Sequence, residues 1–136
     1  MKVSELMTQN TCVVEQGTEV VTVAKLMLEN DIGAIPVVQD GKAIGIITDR
    51  DIVTRSLAKG EDPIGHHVED YMTPSIVSVR ENAPLQECLD LMEQHQIRRM
   101  LVVDEQGKLC GIVAQADIAR EASTENTAEL LEKVSA

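Results

Sequence analysis

The chain has 136 residues, 43% of them hydrophobic and 26% charged, a composition that suits one compact domain or two packed half-domains and excludes a disordered polypeptide. Its 12 basic against 23 acidic side chains leave a net charge of -11, which repels phosphate backbones and anionic lipid headgroups. Tyr71 is the single aromatic side chain, so the core is expected to be aliphatic and the stacking platforms of single-strand binders are missing; neither nucleic acid nor a membrane is expected as a partner.

The opening MKVSELMTQN lacks the apolar stretch of a secretion signal, and no apolar run approaches the ~20 residues of a membrane span. Cys12, Cys88 and Cys110 are widely spaced, form no C-x-x-C, and each sits in an apolar pattern. A reducing cytoplasm is the expected compartment. A short β segment is expected over residues 12–14. Val20, Ala24, Met27 and Leu28 then share one helical face, with Thr18 as the N-cap. Two strands follow at 35–38 and 43–48, joined by an Asp40-Gly41 turn that predicts a hairpin. A second helix starts near Asp49, carries Ile52, Val53 and Leu57, and stops at Gly60.

The chain then repeats itself. Val3, Met7, Thr8, Val14, Leu26, Met27, Ile32, Val37 and Val38 recur 65 positions later as Val68, Met72, Thr73, Val79, Leu91, Met92, Ile97, Val102 and Val103. After one inserted residue, Gly41, Lys42, Gly45, Ile46, Asp51 and Ile52 recur as Gly107, Lys108, Gly111, Ile112, Asp117 and Ile118. The second copy predicts a β segment near Ile76-Val77 and a helix with Leu85, Cys88, Leu89 and Met92 on one face, started by Asn82 and Pro84. Strands at 100–103 and 109–113 follow, joined by a Glu105-Gln106-Gly107 turn. The expected fold class is α/β (α+β), two β-α-β-β-α repeats packed with pseudo-two-fold symmetry. Residues 1–60 form the first repeat, 53–67 its helix end and the connection, and 68–121 the second repeat. The tail, 122–136, carries Asn126 and Glu129 as a capping box before Leu130, Leu131 and Val134, predicting a short final helix.

The most informative string is Gly45-Ile46-Ile47-Thr48-Asp49-Arg50-Asp51, which runs off a strand into a helix start. Gly45 lets another group approach the backbone. Free N–H groups and the positive dipole end of a helix suit an anion, and Asp51 and the Thr48 hydroxyl suit a sugar diol. Thr48-x-x-Asp51 is also a capping box that does no more than stabilise a helix start. The second copy keeps Asp117 but has Ala114 in place of the threonine, which a pure capping role does not favour. Both readings stay open.

Arg98 and Arg99 stand just before a strand, and an Arg fork fits phosphate as well as it fits a surface carboxylate. Their counterparts in the first copy are Gly33 and Ala34. His66 and His67 are adjacent, and no pattern of Cys or carboxylates completes a ligand set around them, so no metal site is expected. No nucleophile elbow, phosphate-binding P-loop or dinucleotide fingerprint is visible, and no catalytic residue is assigned.

Two copies of Met-Thr, a Pro-Val-Val or Leu-Val-Val strand and G-h-h-T-x-x-D resemble a tandem CBS-domain pair over residues 1 to about 121, most closely at 45–52. The resemblance implies a regulatory protein rather than an enzyme, with two clefts for adenosine ligands (AMP, ADP, ATP or S-adenosylmethionine) and pairing into homodimers. It implies that Asp51 holds ribose, that Thr48 neighbours phosphate, and that Arg98 and Arg99 face that phosphate. Thr8, Thr11, Cys12, Ile32, Gly33 and Pro36 would line or border the adenine pocket. A second, degenerate site would comprise Asp117, Ala114, Thr73, Ile76 and Val77, weakened by the missing hydroxyl and the missing basic pair. Ligand binding would then be transmitted to an unidentified regulated protein. The alternative is a ligand-free dimerisation or interaction module in which Thr48 and Asp51 only cap a helix.

Overall fold

A computed structural model describes residues 1–9, 12–74 and 77–122. The expected tail helix, Thr11 and Ile76 lie outside them. The chain divides into two compact units, one built from residues 1–10 with 77–136 and the other from residues 11–76.

In the unit of residues 11–76, strand β2 (Val14–Glu15) precedes helix α1 (Val20–Asn30), strands β3 (Ala34–Gln39) and β4 (Lys42–Thr48) and helix α2 (Asp49–Arg55). A 3-10 turn (Leu57–Lys59), helix α3 (Val68–Tyr71) and strand β5 (Thr73–Pro74) complete it. Its sheet has the order β2-β3-β4-β5, parallel at β2/β3 and antiparallel elsewhere. Asp40 and Gly41 both take positive φ, 52° and 79°, as a two-residue hairpin with strand-matched twist requires.

The other unit repeats this plan. It holds a 3-10 turn (Val3–Glu5), β1 (Thr8–Gln9), β6 (Ser78–Arg80), α4 (Leu85–His95), β7 (Arg99–Val103), β8 (Leu109–Ala114) and α5 (Gln115–Ala122). Its sheet runs β1-β8-β7-β6, with the same strand directions and a register shift at Val102/Val103 matching that at Val37/Val38. Each sheet takes its fourth strand from the Met-Thr opening of the other copy. Thr8 pairs with Ile112, and Thr73 pairs with Ile46. Gly45 and Gly111 make this possible: a Cβ on Gly45 would lie 2.7 Å from the Thr73 carbonyl oxygen, and one on Gly111 2.8 Å from that of Thr8. The group that approaches Gly45 is thus a neighbouring strand.

Each unit has its own core, aliphatic except for Tyr71. Val14, Val20, Val23, Met27, Ile35, Val37 and Ile47 pack with Val68 and Tyr71, while Val3, Val79, Leu85, Cys88, Met92, Met100, Val102, Val113 and Ile118 form the other.

Several local expectations change. On α1 the buried stripe is Val20, Val23 and Met27; Ala24 is exposed and Leu28 is 83% exposed, because the helix face that meets the sheet is turned from the predicted one. Glu19, not Thr18, is the N-cap, since the Thr18 hydroxyl donates to the Glu15 carbonyl at 2.7 Å. Helix α2 ends at Arg55, where the Ser56 hydroxyl bonds back to the Ile52 carbonyl; Gly60 (φ 74°) instead ends the 3-10 turn that follows. Val53 and Leu57 are exposed. The opening strands begin at Val14 and Ser78, leaving Cys12, Val13 and Val77 outside them. Asp31 and Gln96 end α1 and α4 in the left-handed conformation, φ 52° and 54°, without the glycine that usually marks such a stop.

Candidate functional site

The candidate site is built where β4 becomes α2. Thr48 is the N-cap: its Oγ1 accepts the Asp51 N–H at 3.0 Å, while Asp51 Oδ2 accepts the Thr48 N–H at 3.1 Å. The capping box is complete. The Asp49 N–H donates to the Gly33 carbonyl at 3.0 Å, and Asp49 Oδ1 accepts the Arg50 N–H at 2.8 Å. The helix start therefore does not present the free N–H groups expected for an anion, because its own side chains and the Gly33 carbonyl already satisfy them. Asp49 and Asp51 in the first turn also oppose the positive dipole end. What stays open is the second oxygen of Asp51. Its Oδ1 lies 3.8 Å from Arg55 Nε, and the side chain keeps 16% of its exposure. A carboxylate oxygen in that state can accept hydroxyl donors, as a ribose diol supplies.

Ile32 and Gly33 are half-buried and lead into β3, where Pro36 is fully buried and paired with Ile46. Cys12 is half-buried against the same core. These four share the unit of Thr48 and Asp51. Thr8 belongs to the other unit, exposed on β1 beside Ile112.

The second copy differs as its sequence demands. Asp117 Oδ2 accepts the Ala114 N–H at 2.9 Å, which reproduces half of the box; without the hydroxyl the other half is missing. Asp117 Oδ1 is taken by the Arg120 guanidinium. Arg98 and Arg99 are brought to this same corner: the Arg98 carbonyl accepts the Gln115 N–H at 2.8 Å, and Arg99 pairs with Ala114. Both side chains are exposed, and neither forms an ion pair among the described residues. Val77 is half-buried against this unit's core, and Thr73 is exposed on β5 in the other unit.

The histidines serve the connection between the copies. His66 Nε2 lies 3.0 Å from Glu61 Oε1 and Nδ1 3.2 Å from Asp70 Oδ2. His67 caps α3, and Asp70 Oδ2 accepts its N–H at 2.9 Å, which holds the Asp70 carboxyl below its ordinary range; the hydrogen bond and charge of His66 add to this. Tyr71 donates to Glu61 at 2.6 Å, and burial with that carboxylate pushes the phenol up to about 12. No group of three or more His, Cys, Asp or Glu among the described residues is arranged to hold a metal. Burial raises the Cys88 thiol to about 11; burial and then the Glu81 carboxylate raise Cys110 to about 12, so both are poor nucleophiles.

Sequence reading missed Arg55. Its Nη1 donates to the Tyr71 and Met72 carbonyls at 3.1 and 2.8 Å, and its Nη2 to Thr73 Oγ1 at 3.0 Å. The one visible signal was the i,i+4 spacing from Asp51.

The CBS domain matches residues 3–58 and again 68–124. The chain belongs to the CBS-domain family. Hypoxic response protein 1 of Mycobacterium tuberculosis is 46% identical over 111 residues, 81% of this chain and 76% of that protein. A crystal structure of Hypoxic Response Protein I with two coordinated zinc ions is 40% identical, with a TM-score of 0.72 over 88% of this chain and 98% of that one. The structure of CBSX2 in complex with AMP is 28% identical, with a TM-score of 0.74 over 90% of this chain and 96% of its own. The CBS-domain pair of MJ0100 in complex with 5-methylthioadenosine and S-adenosyl-L-methionine is 26% identical, with a TM-score of 0.74 over 88% and 98%. The fold is thus the CBS-pair α/β fold. No helix among the described residues is long and apolar enough to cross a membrane.

Proposed function

We propose that this CBS pair is a cytoplasmic regulatory module, not an enzyme, that binds an adenosine-type ligand and passes its occupancy to a partner protein. Asp51 holds the ribose through Oδ1, and Thr48 orders the turn beside it. Ile32, Gly33, Pro36 and Cys12, of the same unit, border the base. The observation that carries this reading is the state of Asp51: one oxygen is engaged by the Thr48 N–H, and the other faces a cation at a distance that leaves it open to a hydroxyl. The bound AMP, 5-methylthioadenosine and S-adenosylmethionine of related CBS pairs support the ligand class. In the degenerate copy Arg120 already takes the equivalent oxygen of Asp117, which favours weak binding or none.

A ligand that binds only the native state raises its melting temperature, by RT ln(1 + [L]/Kd) in free energy. The test is a thermal melt with AMP, ADP, ATP and S-adenosylmethionine. A concentration-dependent rise with at least one is expected; no rise with any of them contradicts the proposal.

A second reading, a ligand-free dimerisation module, is favoured by the completeness of the Thr48–Asp51 box and by the exposed Leu28, Val53, Leu57 and Ile64. Equilibrium sedimentation separates the two. Self-association that no nucleotide changes supports the module, and a monomer stabilised by nucleotide refutes it.

A further inference from the structure

Arg55 is placed in the fold as a clamp. It sits one turn after Asp51 on α2, and its guanidinium reaches out of the helix to the segment where the chain leaves this unit. Three of its contacts are to that segment: the carbonyls of Tyr71 and Met72 and the hydroxyl of Thr73. The fourth faces the open Asp51 oxygen, 3.8 Å from Nε. A guanidinium is planar and rigid, so Nε cannot shift toward or away from Asp51 without moving the Nη atoms. The segment is otherwise tightly held. The Met72 N–H donates to the Val68 carbonyl at 2.9 Å, and Thr73–Pro74 pair with Ile46 and Gly45. The bare Cα of Gly45 leaves no slack against the Thr73 carbonyl. The other copy lacks this device: Glu121, a carboxylate, stands at the position equivalent to Arg55.

We infer that Arg55 is a positioning residue that ties ligand occupancy at Asp51 to the backbone of residues 71–73, making this segment the place where binding is first felt outside the site. The inference rests on the proposed binding of an adenosine ligand at Asp51. A hydroxyl that engages Oδ1 competes with Nε for the same oxygen. The rigid fork carries the adjustment to three acceptors on a segment that supplies the fourth strand of the sheet.

The test is hydrogen–deuterium exchange on the full chain with and without AMP, alongside calorimetric titration of AMP. In the wild type, AMP slows exchange at residues 48–52 and at the amides of Met72 and Thr73. In Arg55→Lys, which keeps the charge but loses the fork, AMP binds within about tenfold of wild type, the scale of one charge-assisted hydrogen bond. Slowing persists at 48–52 and is lost at 72–73. A purely structural Arg55 would raise exchange at 72–73 equally with and without AMP and leave the AMP-dependent difference intact, and that result overturns the inference. Thr73→Val, which removes one of the three acceptors, provides the reading if Arg55→Lys does not fold: the AMP-dependent slowing at residue 72 falls, and an unchanged value overturns the inference. Failure of the wild type to bind AMP or any other adenosine ligand overturns the ligand proposal and this inference with it. Binding with an unchanged response in the variants overturns this inference alone.

Discussion

Thr48 and Asp51 hold each other's backbone: the threonine hydroxyl accepts the Asp51 N–H at 3.0 Å, and the aspartate carboxylate accepts the Thr48 N–H at 3.1 Å. Each bond uses one acceptor of a side chain that has more than one. The cap and the ligand role are therefore compatible: the box fixes the direction of Asp51 and leaves Oδ1 for a hydroxyl.

The two copies make this box testable. Thr48→Ala removes an N-cap acceptor and is expected to cost about 1 kcal/mol of stability, while Ala114→Thr completes the half-formed box at α5 and is expected to stabilise by about 0.5–1 kcal/mol. Urea unfolding of the two variants against wild type checks both signs. A destabilised Ala114→Thr would show that the hydroxyl cannot reach the Asp117 N–H.

The glycine at each strand crossing is a second matched pair. Gly45→Ala and Gly111→Ala place a methyl against a backbone carbonyl that belongs to a neighbouring strand and cannot yield as a side-chain end can. Each is expected to destabilise by about 1–3 kcal/mol, the usual range for overpacking. The same unfolding measurement tests it, and a neutral Gly45→Ala would contradict the β4–β5 register.

Much of this was legible from residues alone. The repeat offset placed both hairpins within a residue or two, because apolar runs ended by Asp40-Gly41 and Gly107 allow little else. The capping boxes at Asp51 and Asp117 were legible as one complete and one half-formed, since a missing hydroxyl is visible in sequence. The exchange of Thr8 and Thr73 between sheets was not, because partner choice for a two-residue strand depends on tertiary contacts. Nor was the occupied state of the α2 start. Asp49 bonds to its neighbour's N–H and Gly33 supplies a carbonyl, and neither follows from a motif. Arg55 was hidden for the same reason, since its acceptors lie 16 to 18 residues away. Gln96 in a left-handed stop carries no sequence signal.

Tyr71 gives the connection an optical probe, since no other tyrosine or tryptophan contributes. Its folded value of about 12 stands above the unfolded 10.0. The unfolded chain therefore loses this proton first, and the stability it contributes is full below about 10 and lost as pH rises through about 12. Tyrosinate absorbance should titrate near 12 in the native protein. Glu61→Gln should bring the midpoint down, and an unchanged midpoint would contradict the Tyr71–Glu61 hydrogen bond.

Asp70 acts at the other end of the pH scale. Its folded value lies below the unfolded 3.8, so its contribution is present above that value and lost as pH falls through the lower, folded one. Asp70→Asn is expected to show a shallower loss of stability on acidification than wild type, measured by urea unfolding at stepped pH. An identical pH profile would show that the His67 N–H does not select the charged carboxylate.

The most direct measurement of the central claim is calorimetric titration of AMP into wild type, Asp51→Ala and Asp117→Ala, each first shown to be folded. The ribose role of Asp51 predicts saturable heat in wild type, none in Asp51→Ala and a nearly unchanged isotherm in Asp117→Ala. Equal losses in the two variants would contradict a single dominant site. Wild-type binding that survives in Asp51→Ala would show that Thr48 and Asp51 cap a helix and nothing more.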